Sequence, residues 1–252
     1  MKKTIRNKIL RAIILLIVLI GLFELVYVFP EPFFNYHKSY KTFEFYSTEE
    51  ESNNIDSILE SVLSKIQFSE YYDSSEKYRI FYCPSGSKYH KIMFNINENY
   101  VYNSTFRHNI LIFADVNFEE NTLIDSRFNV TYKTDQCIAA GIVLNFVDNK
   151  QAAWMKSGYL EYISNCSIDY YDIVFLENVK TFYDNPDSAR LINEKGISRP
   201  IYNHKARILI EFLILVKEIS YEEIKFSNLP EEDVLKELTI WYDNELKTIA
   251  NN

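Results

Sequence analysis

Few groups in this chain could do chemistry. The densest cluster is Asp135-Gln136-Cys137-Ile138-Ala139, followed after fourteen residues by Trp154-Met155-Lys156-Ser157-Gly158-Tyr159-Leu160-Glu161-Tyr162. Asp135 and Ala139 stand four apart, the spacing at which two side chains leave the same face of a helix. Two ligands so placed could share a metal ion, but only Asp135 has a donor atom. Asp135 and Glu161 could pair as acid and base, or hold a metal other than zinc, in a hydrolase with a non-standard site. A capping bond or a Lys/Arg partner is the plainer role for Glu161. Taken by themselves the two stretches are a pair of packed helices without chemistry.

The other reactive side chains are dispersed. His37, His90, His108 and His204 form no HxH, HxxxH or HxxE pair, and isolated histidines read as surface or capping groups rather than ligands. Cys83, Cys137 and Cys166 make neither a CxxC pattern nor an even disulfide set. Buried thiols fit them best. In an oxidising compartment Cys137–Cys166 is the first pair to test, because both fall on neighbouring helices. No GxSxG, GxxxxGK[ST] or GxGxxG occurs, and no Ser or Cys is placed beside a His as an activated nucleophile. No cofactor is implied.

The order of elements from Tyr78 to Leu238 and the spacing of Trp154, Gly158, Glu161 and Tyr162 resemble the gluzincin metallopeptidases, the thermolysin-like and aminopeptidase-like proteins. These carry HExxH and, further on, a W-x-x-E-G-x-x-E-Y helix. Seventeen residues separate Ala139 from Ser157, close to the family's interval between its second His and its Glu ligand. The resemblance implies a zincin-like fold, and the departures from it decide the chemistry. The two imidazoles that would hold zinc from one helix face fall at Asp135 and Ala139. The general base that would deprotonate zinc-bound water falls at Gln136, and the third ligand at Ser157. Ala139 cannot bind a metal and Gln136 has no useful basicity, so the resemblance implies a pseudoenzyme with these four as vestigial positions. Trp154, Gly158, Glu161 and Tyr162 remain as structural signature residues.

Several elements must position these groups. Lys41–Ser47 reads as a first strand. A helix follows Thr48-Glu49-Glu50-Glu51, with Ile55, Ile58, Leu59, Val62 and Ile66 at helical spacing. Tyr78–Cys83 is a strand closed by Pro84-Ser85-Gly86, Lys88–Phe94 could be a short helix, and Asn109–Ala114 is an apolar strand, buried on both faces or edging a cleft. Helices are expected over Asp135–Val147, capped by Thr131 or Thr134, over Ala152–Ser164, and over Tyr202–Ile219, the last buried on most sides. The final helix starts at Pro230, with acids in its first turn, and runs to Ile249. The expected class is α+β: a zincin-like domain with a small mixed sheet and then a helical C-terminal half, preceded by one transmembrane helix.

That transmembrane helix is Ala12–Phe29, eighteen residues with the single charge Glu24, about 27 Å of helix. Lys2, Lys3, Arg6, Lys8 and Arg11 precede it, and the next basic residue is Lys38. The positive-inside rule therefore puts the N-terminus in the cytoplasm and the domain outside it, periplasmic or on the cell surface. A cleaved signal peptide is the alternative, but Glu24–Pro30 offers no small residues for a cleavage site. The expected organisation is a basic tail and anchor over 1–29, a tether over 30–40 and the domain over 41–252. Residues 1–29 hold five basic side chains and one acidic, so the remainder lies near −12 against −8 for the whole chain. So acidic a domain would repel nucleic acid.

The function expected is a membrane-anchored, inactive peptidase-like module. A peptide or protein would sit in its vacated cleft, added as a strand beside Asn109–Ala114. The alternatives are the hydrolase with a non-standard site and an unrelated anchored structural or immunity-type protein.

Overall fold

A computed structural model of the chain describes residues 2–48, 54–84, 87–92, 101–104, 109–125, 130–147, 151–165, 177, 179–182, 190–192 and 198–250. Its centre is a five-stranded mixed sheet in the order β1-β2-β3-β5-β4. β1 is Tyr36–Tyr40, β2 Phe43–Ser47, β3 Tyr78–Tyr82, β4 Val101–Ser104 and β5 Asn109–Ile112. β2, β3 and β5 run parallel, while β1 and β4 lie antiparallel at the two edges. Period-two alternation sends the strand side chains into two separate cores. Phe45, Ile80, Tyr82, Ile110 and Ile112 face the larger one. Phe81, Cys83, Leu111 and Phe113 face a smaller one on the opposite side.

Two helices cover the larger face. The periodic run expected from Ile55 to Ile66 is α2 (Ile55–Ile66), which buries Ile55, Ile58, Leu59, Val62 and Ile66. Beside it lies α4 (Thr134–Leu144), with Ile138, Ala139, Ile142 and Val143 buried. The short helix α3 (Lys88–Ile92) places Tyr89 in the smaller core. The helical half continues with α5 (Ala153–Asn165), α6 (Ile201–Glu211) and a π turn over Phe212–Val216, then α7 (Tyr221–Phe226) and α8 (Glu231–Ala250). A mixed α+β fold with a small mixed sheet and a helical second half is therefore what the chain forms.

Four expectations change. Residues 30–40 are not a loose tether. Glu31–Phe33 is a 3-10 turn and Tyr36–Tyr40 is a sheet strand, because the two-residue turn Lys41-Thr42, with Lys41 at φ 51°, returns the chain in register against β2. β5 is not open to an added strand, since β3 and β4 bond both of its edges. Neither Thr131 nor Thr134 caps α4: Thr131 lies in a strand over Val130–Lys133, and no side chain caps the helix from the N-cap residue Lys133. The helix expected over Tyr202–Ile219 passes into the π turn at Phe212 and ends there. Strands β6 (Asp115–Asn117), β7 (Thr122–Asp125) and β8 (Val130–Lys133), unforeseen, form a second antiparallel sheet. β9 (Arg190–Ile192) and β10 (Ser198–Pro200) form a two-stranded ribbon.

The N-terminal helix is α1 (Lys2–Val28). Among the described residues no helix is long and apolar enough to cross a membrane.

Buried phenols give the fold an alkaline limit. Tyr78, Tyr89 and Tyr221 are buried, and burial pushes the pKa of each hydroxyl upward. In the unfolded chain they ionise near pH 10. The native state therefore holds protons that the unfolded state has lost. Stability from this source is complete below about pH 10 and drains away above it. A pH titration should show exposed tyrosines ionising first, with a second rise in tyrosinate absorbance coinciding with loss of helix circular dichroism. A single rise completed while the fold persists would contradict this.

Candidate functional site

The N-terminus of α4 is held by residues distant in sequence. The β6–β7 turn ends at Asn121, whose left-handed backbone (φ 53°) brings its amide over the first turn of the helix. Asn121 Oδ1 accepts from the Asp135 backbone N–H at 3.0 Å, and its carbonyl accepts from Thr134 N–H at 3.1 Å. Two of the donors that every helix start leaves open are thus satisfied by a residue fourteen positions upstream. Asn121 is the cap that the sequence expectation assigned to a threonine.

Asp135 is buried, and both carboxylate oxygens are occupied. Oδ1 accepts from Asn121 Nδ2 at 2.8 Å, Oδ2 accepts from Ser61 Oγ at 2.6 Å, and Lys65 Nζ lies 3.5 Å from Oδ2. Ser61 and Lys65 are four apart on α2, so one face of that helix presents both to the carboxylate. Asp135 thereby ties three elements together: α2, α4 and the β6–β7 turn. Its position in the first turn of α4 also suits the helix dipole.

The other predicted positions go to different places. Gln136 turns aside, and its Nε2 donates to Asn165 Oδ1 at the end of α5 at 3.1 Å. Ala139 is sealed in the core with Ile138 and Ile142. Ser157 donates back to its own helix, to the Ala153 carbonyl at 2.6 Å. No hydrogen bond or ion pair joins Asp135 to Ser157 or to Glu161; Asp135's partners are Ser61, Lys65 and Asn121. Among the described residues no group of three His, Cys, Asp or Glu side chains could hold a metal ion.

Trp154, Gly158 and Tyr162 line the buried side of α5. Gly158 meets α6 so closely that an added Cβ would lie 2.7 Å from the Ala206 carbonyl carbon and 2.8 Å from Ile210 Cγ1. Beside it Tyr159 stacks on Tyr221, ring centroids 3.5 Å apart, and its hydroxyl is 3.1 Å from Ser69 Oγ. Trp154, Gly158 and Tyr162 thus have a packing role in the structure.

No protein-family model, curated protein or solved structure matches the chain. What the site can do must be read from its own geometry.

His37 stacks on Tyr46 and bonds to Glu44 from β1, so it belongs to the sheet rather than to a tether. His204, expected as a surface or capping group, is buried, and with Arg207 and Glu211 it forms a row of polar side chains at i, i+3 and i+7 along α6. Arg207 Nε lies 3.1 Å from Glu211 Oε1. Burial of this helix on most sides was expected, but nothing local marks which of its polar residues share that burial. The side chain of His90, as well as His108 and Cys166, lies outside the described residues, and with Cys166 the Cys137–Cys166 pairing. A groove of about 400 Å³ lies between the π turn and α8, lined by Phe212, Lys217, Glu237, Ile240, Trp241 and Asn244.

Proposed function

We propose that the chain is a membrane-anchored, gluzincin-like domain without peptidase chemistry, acting as a binding or scaffold module. The observation that carries this reading is the employment of Asp135. At the position where the family would place its first zinc ligand, both carboxylate oxygens are committed to Ser61, Asn121 and Lys65. Ala139 and Ser157, at the other two ligand positions, are packed in the core and bonded to their own helix. These positions serve packing and helix capping, and a module whose former chemistry has become structure is left with binding as its work. Its acidic charge favours a protein or peptide partner over nucleic acid.

The anchor reading is supported by the surface of α1. Ile13 to Ile20 and Leu22 are each 48–62% exposed, and eight consecutive positions cover every side of a helix. Removing the remaining exposed half of each from water would gain about 1 kcal/mol apiece. A lipid core supplies that burial on all sides at once. The N-terminus would then be cytoplasmic and the domain extracytoplasmic.

Three measurements on the purified full chain test the reading. The protein should float with liposomes after alkaline carbonate washing, and should carry no stoichiometric zinc. Peptidase activity that a chelator abolishes would overturn the inactive-domain reading, and loss from the vesicles on washing would overturn the anchor.

A further inference from the structure

The smaller core differs from the larger one in what closes it. One cross-strand row, His37–Tyr46–Phe81–Leu111–Tyr102, runs the width of the sheet. Onto Tyr46, Phe81 and Leu111 fold Val26 from the last turn of α1, Phe33 and Phe34 from the segment after it, and Tyr89 from α3. Phe34 packs between Phe81 and Tyr89, with ring centroids 5.2 and 5.5 Å away. Tyr46 stacks on Phe81 at 4.5 Å.

Polar contacts reinforce the same junction. The last turn of a helix leaves carbonyls without intrahelical donors. In α1 the Val28 carbonyl accepts from Asn109 Nδ2 at 3.1 Å, and the Val26 carbonyl from the Tyr89 hydroxyl at 3.5 Å. Asn109 is a buried amide opening an otherwise apolar strand, and this bond gives it a purpose. Just beyond the helix end, Glu31 pairs with Arg79 at 2.6 Å, both side chains largely shielded.

We propose that α1 and the sheet form one fixed joint, so that the domain stands at a bilayer in a single orientation, with α2, α4 and α5 on the sheet face away from the anchor. The joint itself is independent of the membrane, and only the words "at a bilayer" rest on the anchor reading above. A partner bound by the helical half would then meet it on the side of the sheet opposite the joint.

The test uses the full chain with Cys137 and Cys166 replaced by serine. Cys83 can stay: it is buried and burial pushes its thiol pKa up, which leaves little thiolate to react. Spin labels at Val18→Cys and Lys77→Cys report across the joint, and labels at Lys77→Cys and Lys236→Cys report within the domain. Distances are measured by double electron–electron resonance in detergent and in phosphatidylcholine–phosphatidylglycerol vesicles. The two distributions should be equally narrow. Phe34→Ser should broaden the first several-fold and leave the second unchanged. Should Phe34→Ser broaden both, the variant has unfolded, and Arg79→Gln then decides, with broadening confined to the first pair expected. A wild-type distribution across the joint several-fold broader than the internal one overturns the proposal, as does a narrow one that neither variant broadens. Failure to float with vesicles, with the joint still narrow in detergent, would sink the anchor reading alone.

Discussion

Gly158→Ala is expected to destabilise the fold by about 2–3 kcal/mol, although alanine is the better helix former. On an exposed helix the exchange would stabilise by about 1 kcal/mol. Here the new methyl would meet the Ala206 carbonyl group and Ile210 Cγ1 inside van der Waals contact. Backbone cannot rotate away as a side chain can, so α5 and α6 would have to separate, and overpacking of that kind costs about 1–3 kcal/mol and sometimes more. The steric cost wins over propensity. Thermal denaturation should record a fall in Tm of roughly 5–10 °C. Gly21→Ala is the control, since an added Cβ there meets nothing within 4 Å. A neutral or stabilising Gly158→Ala would mean that the two helices do not cross as closely as described.

Asp135→Ala should cost about 3–5 kcal/mol, the range for removing one partner of a buried ion pair. The change strands Lys65, which is buried, and leaves Ser61 Oγ and Asn121 Nδ2 without their acceptor. Asp135→Asn keeps the shape and one acceptor and should lose less. Replacing Asp135 and Lys65 together by Asn and Met should recover part of the loss, because the stranded charge is gone. Chemical denaturation of the wild type, Asp135→Asn, Lys65→Met and the double variant forms a double-mutant cycle. Additive losses would show that Lys65 and Asp135 do not interact, and an Asp135→Ala chain of unchanged stability would remove the main support for its structural role.

These two residues also show how far the sequence is legible. That Asp135 lies in the first turn of a helix and Gly158 on the next helix follows from local patterning. Why each is there does not, because their partners are far along the chain: Ser61 is 74 residues before Asp135, and Ala206 belongs to a helix whose path the sequence leaves open. The same reason hid Asn121 as the cap of α4. Threonine was the residue with the right propensity near the helix start, but the turn carrying Asn121 came from an unforeseen sheet. β6, β7 and β8 are three or four residues each, too short for alternation to stand out. α2, β3 and β5 were readable because their burial writes a clear period into the sequence. β1 was not, since its pattern is almost wholly exposed and only pairing with β2 makes it a strand. The expected peptide-binding edge failed for a related reason: β4 covers β5, and nothing in Asn109–Ala114 announces that neighbour.

The small core has a consequence for how the chain is made. Val26, Val28 and Glu31 are synthesised early, yet their partners Tyr89, Asn109 and Arg79 follow 63, 81 and 48 residues later. Contacts so separated close only after the intervening chain exists, against the entropy of a long loop. While the ribosome is still delivering residues before Tyr89, the end of α1 has water as its only donor, and the growing domain hangs from it on a leash. The stiff junction is thus a late acquisition, and any partner needed to guard bare Phe81 and Phe34 would be needed in that interval.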